Sequence, residues 1–493
     1  MKNFIKSFIG DKPFYKELLA VSLPIAIHQL LGGLVNLLDS AMISTWATAN
    51  LAKAEIGTGA IMLANRYFMS ANNITVMVAV AMSVFIAQFF GAKKKENMQR
   101  SFGIGIMMIS ILYFVFAMFG LIFAPQIIKF FATTRQDGAL MIEHGTTYLR
   151  IILLSFIPLS LTTPIAFALR GTKKTLVPMF ATLATATTNF VLNILFIYVL
   201  DLGIRGAAYS TLIARFIELS VILIYYLKEK PAFYGSIKQV FSFNKEEAKA
   251  LLKYSVPTGL AQVITEATVI FMLFSYARID AGNSTYISAV TISQSVVDLV
   301  VAFVGGMGVA ASIMVGARLG ADKLEEAKQN ARWQLGYVAF MGVFSVIVMI
   351  AVIPLINSIY GFTADTQAIL AVIMIVQALS LPFSFLATNI VFVTRSGGFA
   401  KSALLINNLP YLVIKIPLVV VFIFIAPDAF TTSAFYQTLF GNIAASDGLI
   451  IFVFILDRLV EVVRFIIGII VYKKANWVQS FASKKEDKQL VHQ

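Results

Sequence analysis

Leu18 to Asp39 reads LLAVSLPIAIHQLLGGLVNLLD, 21 residues without a formal charge followed by a carboxylate. As an α-helix rising about 1.5 Å per residue, that run is long enough to cross roughly 30 Å of hydrocarbon. Pro24 falls early in it, Gly32 and Gly33 form a pair mid-run, and Asp39 lies fifteen residues past the proline. A spanning helix that can bend and that carries one acid near its outer half is a poor passive anchor. It reads as a working part, and the rest of the chain is read around it.

The 493 residues are 59% hydrophobic and only 13% charged, with a mean hydropathy of +0.83. Soluble chains carry about 25% charged residues, so the composition indicates a polytopic membrane protein. Cysteine is absent and no disulfide can form. A multispanning bundle needs no such staple, and the expected location is a bacterial inner (cytoplasmic) membrane. Lys2, Lys6, Lys12 and Lys16 precede the first apolar run and no small-residue cleavage site follows it. The run is therefore expected to be retained, with the N-terminus in the cytoplasm. The net charge of +14 comes largely from connections on one side, such as AKKK (Ala92 to Lys95). That is the positive-inside bias, with contact to anionic headgroups, rather than a nucleic-acid surface.

Residues 1–17 read as a cytoplasmic interfacial segment with Phe4, Phe8 and Phe14 among lysines. Twelve spans follow, near 18–44, 58–90, 101–124, 146–169, 176–200, 204–227, 254–278, 284–317, 335–360, 367–394, 402–426 and 448–472. They divide into an N-terminal six-helix lobe (18–227), a basic cytoplasmic connector (228–253), a C-terminal six-helix lobe (254–472) and a basic cytoplasmic tail (473–493). Within the connector, Asn244 and Glu247 have the spacing of a helix N-cap box. The lobes repeat each other. LAVSLPIAIHQLL aligns with LLKYSVPTGLAQVI, Pro24 on Pro257; FIAQFFGAKKKENMQ aligns with MVGARLGADKLEEAK, Gly91 on Gly320; ARFIEL aligns with DRLVEV, Arg215 on Arg458. Six spans per repeat start both repeats on the same side, the parallel arrangement in which transport sites lie between or inside the bundles.

With these features on the page, the chain resembles the multidrug and toxic compound extrusion (MATE) transporters. The resemblance rests on the Pro24–Asp39 spacing, AQFFGAKKK after span 2, LRGTKK (Leu169 to Lys174) after span 4, NFVLNILFIYVLDLGIRGAAYST (Asn189 to Thr211) across spans 5 and 6, and GARLGA after span 8. It covers about residues 13 to 477. It implies two six-helix lobes opening alternately to either side, and export of amphiphilic, often cationic, compounds against entry of protons or sodium ions. It also implies that the span 1 carboxylate, Asp39, binds the coupling ion. Much of the proton-coupled branch has an aspartate where this chain has Asn193, and the span 10 acid of the sodium-coupled branch is missing from SLPFSFLATN (Ser380 to Asn389).

A charge deep in a membrane costs at least about 2.5–3.5 kcal/mol, so each one calls for a role. Asn189 and Asn193 stand one helical turn apart and can share hydrogen bonds with Asp39. In the second lobe Glu266, Asp298 and Lys415 fall within spans 7, 8 and 11, and are the candidates for a substrate or second cation site, Lys415 pairing with Glu266 or Asp298. Sodium, if it is the coupling ion, is placed at Asp39 or Glu266; no other metal and no cofactor is expected. Pro24, Gly32 and Pro257 are the candidate hinges. Arg215 with Glu218, and Arg458 with Glu461, are spaced to pair within their own helices, with Asp457 and Arg464 extending the second pair. His28 reads as a packed residue, and Gly305, Gly306, Gly308 and Gly316 as close helix packing.

No HExxH, GxSxG or GxxxxGK pattern is present, and an enzyme reading has no residues to stand on. The expectation is an all-α, twelve-span secondary antiporter, monomeric, with small amphiphiles and lipids as its partners. One alternative is a flippase for a lipid-linked oligosaccharide, for which Lys415 and Arg66 are the hints. Another is a channel or transport-dead receptor.

Overall fold

The computed structural model describes residues 6–46, 51–132, 138–242, 244–279, 284–360, 364–440 and 445–481. It is all helical, with no strand among the described residues. Apolar runs bounded by charged or glycine-containing turns leave every backbone N–H and C=O to be satisfied within a helix, the form a bilayer demands. Twelve long helical segments result. They are α1 (Lys12–Trp46), α2 (Leu51–Gly91), α3 (Lys95–Ile122), α4 (Gly138–Leu153 and Phe156–Gly171), α5 (Leu176–Val199), α6 (Gly203–Glu229), α7 (Lys245–Ile279), α8 (Ser284–Gly320), α9 (Leu324–Tyr360), α10 (Ala364–Ser396), α11 (Leu404–Ile425) and α12 (Ala445–Lys474). Ten are apolar and long enough to cross a membrane by themselves, and the two halves of α4 make an eleventh. The twelfth, α12, carries Asp457, Arg458, Glu461 and Arg464 in its middle. The solved structures that this fold matches, given below, have the same twelve helices in two lobes.

Several helices run past the hydrocarbon limits read from hydropathy, because their charged first turns continue the same backbone. α1 is helical from Lys12, so residues 12–17 of the interfacial segment belong to the first span. At the start of α7 the Asn244 side-chain oxygen accepts from the N–H groups of Glu246 and Glu247 at 3.0 and 3.2 Å. Glu247 does not reach back to complete the box; it goes to Asn97 (2.8 Å) and Arg100 (3.8 Å).

α4 is not the straight span expected. Its halves meet at 48° around Leu154 and Ser155. Pro158 is the cause that sequence carries: it has no N–H for the Leu154 carbonyl four residues back, and its ring crowds that group. α5 and α11 contain wide turns closed by N–H to O=C bonds five residues apart: Leu200 to Leu195, Leu409 to Leu404, Ile416 to Tyr411 and Ala426 to Val421. Pro410 and Pro417 flank the second turn in α11, and each such turn rotates the following residues off the ordinary helical register.

The chain divides into two compact units. The N-terminal unit is residues 19–259, 316–322 and 480–493; the C-terminal unit is residues 1–18, 260–315 and 323–479. The connector thus counts with the N-terminal unit. In that unit Gly91 lies against the Ala317 carbonyl and Gly320 against the Gln88 carbonyl, approaches so close that neither position has room for a side chain. The C-terminal unit packs Met272, Val338, Leu370, Phe385, Ile423 and Phe454 into one core.

Candidate functional site

In the N-terminal unit the far end of α1 is tied to the turn between α5 and α6. Gly203 there has a φ of +51°, a conformation that favours glycine, and a Cβ would strike the Trp46 ring. The Trp46 indole N–H donates to Asp201 at 2.7 Å, and the Tyr198 hydroxyl donates to the Met42 carbonyl at 2.9 Å. These contacts fix the rotation of α1 and turn Asp39 toward α5 and α6.

Asp39 is 1% exposed. Its Oδ1 accepts from the Asn193 side-chain N–H at 2.5 Å, and its Oδ2 from the Thr211 hydroxyl at 3.0 Å. Asn193 also donates to Asn189 Oδ1 (3.2 Å), and Asn189 donates to Thr211 Oγ1 (3.2 Å). The ring of four side chains contains one ionisable group. No basic side chain stands within ion-pair distance of Asp39 among the described residues. Asn193 Oδ1 is buried and accepts no hydrogen bond. The structure thus brings together Asp39, Asn189 and Asn193 and adds Thr211, which sequence reasoning missed although it closes the run NFVLN…GAAYST that carries part of the family resemblance. Chemically the ring is a buried carboxylate stabilised only by neutral donors, a place where a cation has more to gain than a water.

One layer away, His28 Nδ1 contacts Thr182 Oγ1 at 2.6 Å, Thr182 donates to Glu218 at 3.4 Å, and Arg215 pairs with Glu218 at 2.8 Å. His28 is a hydrogen-bonded packing residue and Arg215–Glu218 the intrahelical pair expected. Pro24 lies inside an unbroken α1, and Pro257 inside an unbroken α7. A Cβ on Gly32 or Gly33 would meet nothing within 4 Å, so these glycines leave room around α1 rather than closing a helix contact.

The C-terminal unit corrects the pairing expected for Lys415. Its Nζ is not paired with Glu266; it pairs with Asp457 Oδ1 at 2.5 Å, while Arg458 takes Oδ2 at 2.6 Å. The expectation assumed a regular helix; the wide turn at 411–415 redirects Lys415 toward α12. Glu461 correspondingly pairs with Arg464. The Tyr411 hydroxyl donates to Glu461 at 3.2 Å, and Arg464 donates to Tyr411 (2.9 Å) and Asn407 (2.7 Å). One carboxylate therefore serves two cations. Glu266 is buried and accepts from Gln262 in its own helix at 3.0 Å. The Asp298 side chain lies outside the described residues. No three His, Asp or Glu side chains converge as a metal site among the described residues. Among the aromatics, Phe68 stacks on Phe156 at 4.9 Å and Phe271 on Phe424 at 6.1 Å, while Tyr67 donates to the Phe116 carbonyl at 2.8 Å.

The MatE family profile matches residues 24–195 and 257–421. Curated relatives include the "Probable multidrug resistance protein YoeA" of Bacillus subtilis (strain 168), 24% identical over 266 residues, 53% of this chain; the match spans only 56% of that protein's length. The "Probable multidrug resistance protein NorM" of Thermotoga maritima is 25% identical over 440 residues, 86% of each chain. Among solved structures, "Crystal structure of MATE in the straight conformation" matches with TM-score 0.77 at 22% identity, covering 95% of this chain and 97% of the other. "Outward-facing conformation of a multidrug resistance MATE family transporter of the MOP superfamily" matches with TM-score 0.74 at 21% identity, over 95% and 97%.

Proposed function

This chain belongs to the MATE family of multidrug efflux transporters, and from that premise we propose a proton-driven antiporter that exports amphiphilic, cationic, drug-like compounds by alternating access. One observation carries the coupling: Asp39 is buried without a basic partner among the described residues, held by the neutral donors Asn193 and Thr211. Ionised, such a group is costly to keep out of water; neutralised by a proton it is not. Conformations that differ in how much water reaches Asp39 then differ in proton affinity, which is all that alternating access requires. In this reading Asp39 takes a proton from outside, α1 bends near Pro24 and Gly32 with Pro257 as the counterpart in α7, and substrate leaves. The proton is released to the cytoplasm, where both termini lie, and the cycle reloads.

The proton is favoured over sodium because both groups touching the carboxylate present hydrogens, where a metal ion would need oxygen lone pairs. Sodium remains the second reading, supported by the unpartnered Asn193 Oδ1 beside the carboxylate. Glu266 is the candidate contact for a cationic substrate in the C-terminal unit. Lys415 and Arg458, gathered on Asp457, instead favour an anionic cargo, as a lipid-linked oligosaccharide flippase would carry. Proteoliposomes containing the protein and a fluorescent cationic dye separate these. Dye movement driven by an imposed pH gradient and abolished by Asp39→Asn is the expected result; dye movement driven only by sodium selects the second ion. Unchanged pH-driven transport by Asp39→Asn overturns the role of Asp39. Rescue of a flippase-depleted strain without dye transport selects the flippase.

A further inference from the structure

On the side that the lysine bias assigns to the cytoplasm, the C-terminal unit holds a cavity of about 410 Å³ that transport does not use. It is lined by Lys6 and Ser7 of the N-terminal segment and by Glu325, Lys328, Arg332 and Trp333 in the first turns of α9. Three cations surround one carboxylate. Glu325 is taken by Lys328 at 2.6 Å. Neither Lys6 nor Arg332 has an acidic side chain within ion-pair distance among the described residues.

The depth of the cavity is marked by aromatic rings. Phe14 meets Trp333 edge-on at 5.3 Å, Tyr15 lies 5.7 Å from Tyr337, and the Phe8 backbone packs against Gly336. Such rings gather where headgroups give way to hydrocarbon. Lys6 precedes the layer along the N-terminal segment and Arg332 precedes it along α9, so the cavity sits at headgroup level, where anionic lipid is concentrated and a free phosphate is not.

We infer that this cavity binds the phosphate of an anionic phospholipid, held between Lys6 and Arg332. The bound lipid fastens the start of α1, the helix that carries Asp39, to α9. The inference takes from the transport reading only that the chain resides in a membrane with this side inward, and it stands or falls separately from the role of Asp39.

Native mass spectrometry of the delipidated full-length protein in detergent tests it, with phosphatidylglycerol and phosphatidylcholine of identical chains as probes. Phosphatidylglycerol should bind preferentially. Lys6→Gln with Arg332→Gln should weaken the tightest molecule by roughly thirtyfold. Lys6→Arg with Arg332→Lys should retain it, and Lys94→Gln with Lys95→Gln, an equal loss of charge elsewhere, should leave it unchanged. Equal binding of phosphatidylcholine, or wild-type affinity in the Lys6→Gln/Arg332→Gln protein, overturns the site. Displacement of the lipid by glycerol phosphate at matched concentration makes it a free-phosphate pocket and overturns the lipid assignment.

Discussion

Replacing Asp457 by asparagine should destabilise the protein far more than replacing Lys415 by methionine, although the two residues form one ion pair. Asp457 is the single carboxylate between Lys415 at 2.5 Å and Arg458 at 2.6 Å, and it is 4% exposed. Asp457→Asn leaves two partly buried cations facing each other, and stranding one member of a buried pair costs about 3–5 kcal/mol. Lys415→Met removes a cation that Asp457 can spare, since Arg458 remains; the loss should stay below about 1 kcal/mol. Combining the two changes should recover part of the loss, because Lys415 then no longer contributes a stranded cation. Unfolding in mixed micelles titrated with sodium dodecyl sulfate, followed by tryptophan fluorescence, gives the order directly. Equal destabilisation by the two single variants would refute the shared-carboxylate reasoning, as would a double variant less stable than Asp457→Asn.

Thr211→Val deletes one of the two donors to Asp39 and should lower pH-driven dye efflux several-fold, while the lost hydrogen bond costs only about 1 kcal/mol in the same unfolding assay. Gly320→Ala places a methyl group against the Gln88 carbonyl and should destabilise by about 1–3 kcal/mol, whereas Gly33→Ala, with open space around it, should be neutral or slightly stabilising. Tyr411→Phe takes the hydroxyl from between Glu461 and Arg464 and should cost about 1–3 kcal/mol, read from the unfolding midpoint.

The residues around Asp39 were legible because ordinary helical spacing governs them. Asn189 and Asn193 are four apart on an α5 that stays regular up to Asn193, so one face carries both. Thr211 was not legible, since nothing in spacing says which residue of α6 meets α1; the Trp46–Asp201 contact decides that. The second lobe failed for a different reason. Straight helices would let Lys415 reach the acids of the neighbouring spans, but the turns at 404–408 and 411–415 each insert a residue and change the direction in which Lys415 points. The break in α4 had a readable sign in Pro158 that hydropathy, which sees only apolar content, passes over.

The pairing of Lys415 with Asp457 also bears on how the chain enters its membrane. Lys415 is synthesised 42 residues before its partner, and during that interval α11 is a hydrophobic segment burdened by an unneutralised ammonium. α12, with four charges in its middle, is no better placed alone. The two segments gain from leaving the insertion machinery as a hairpin, α11 lingering there until Asp457 emerges. A chain cut short between them would present quality-control proteases with a half-inserted helix.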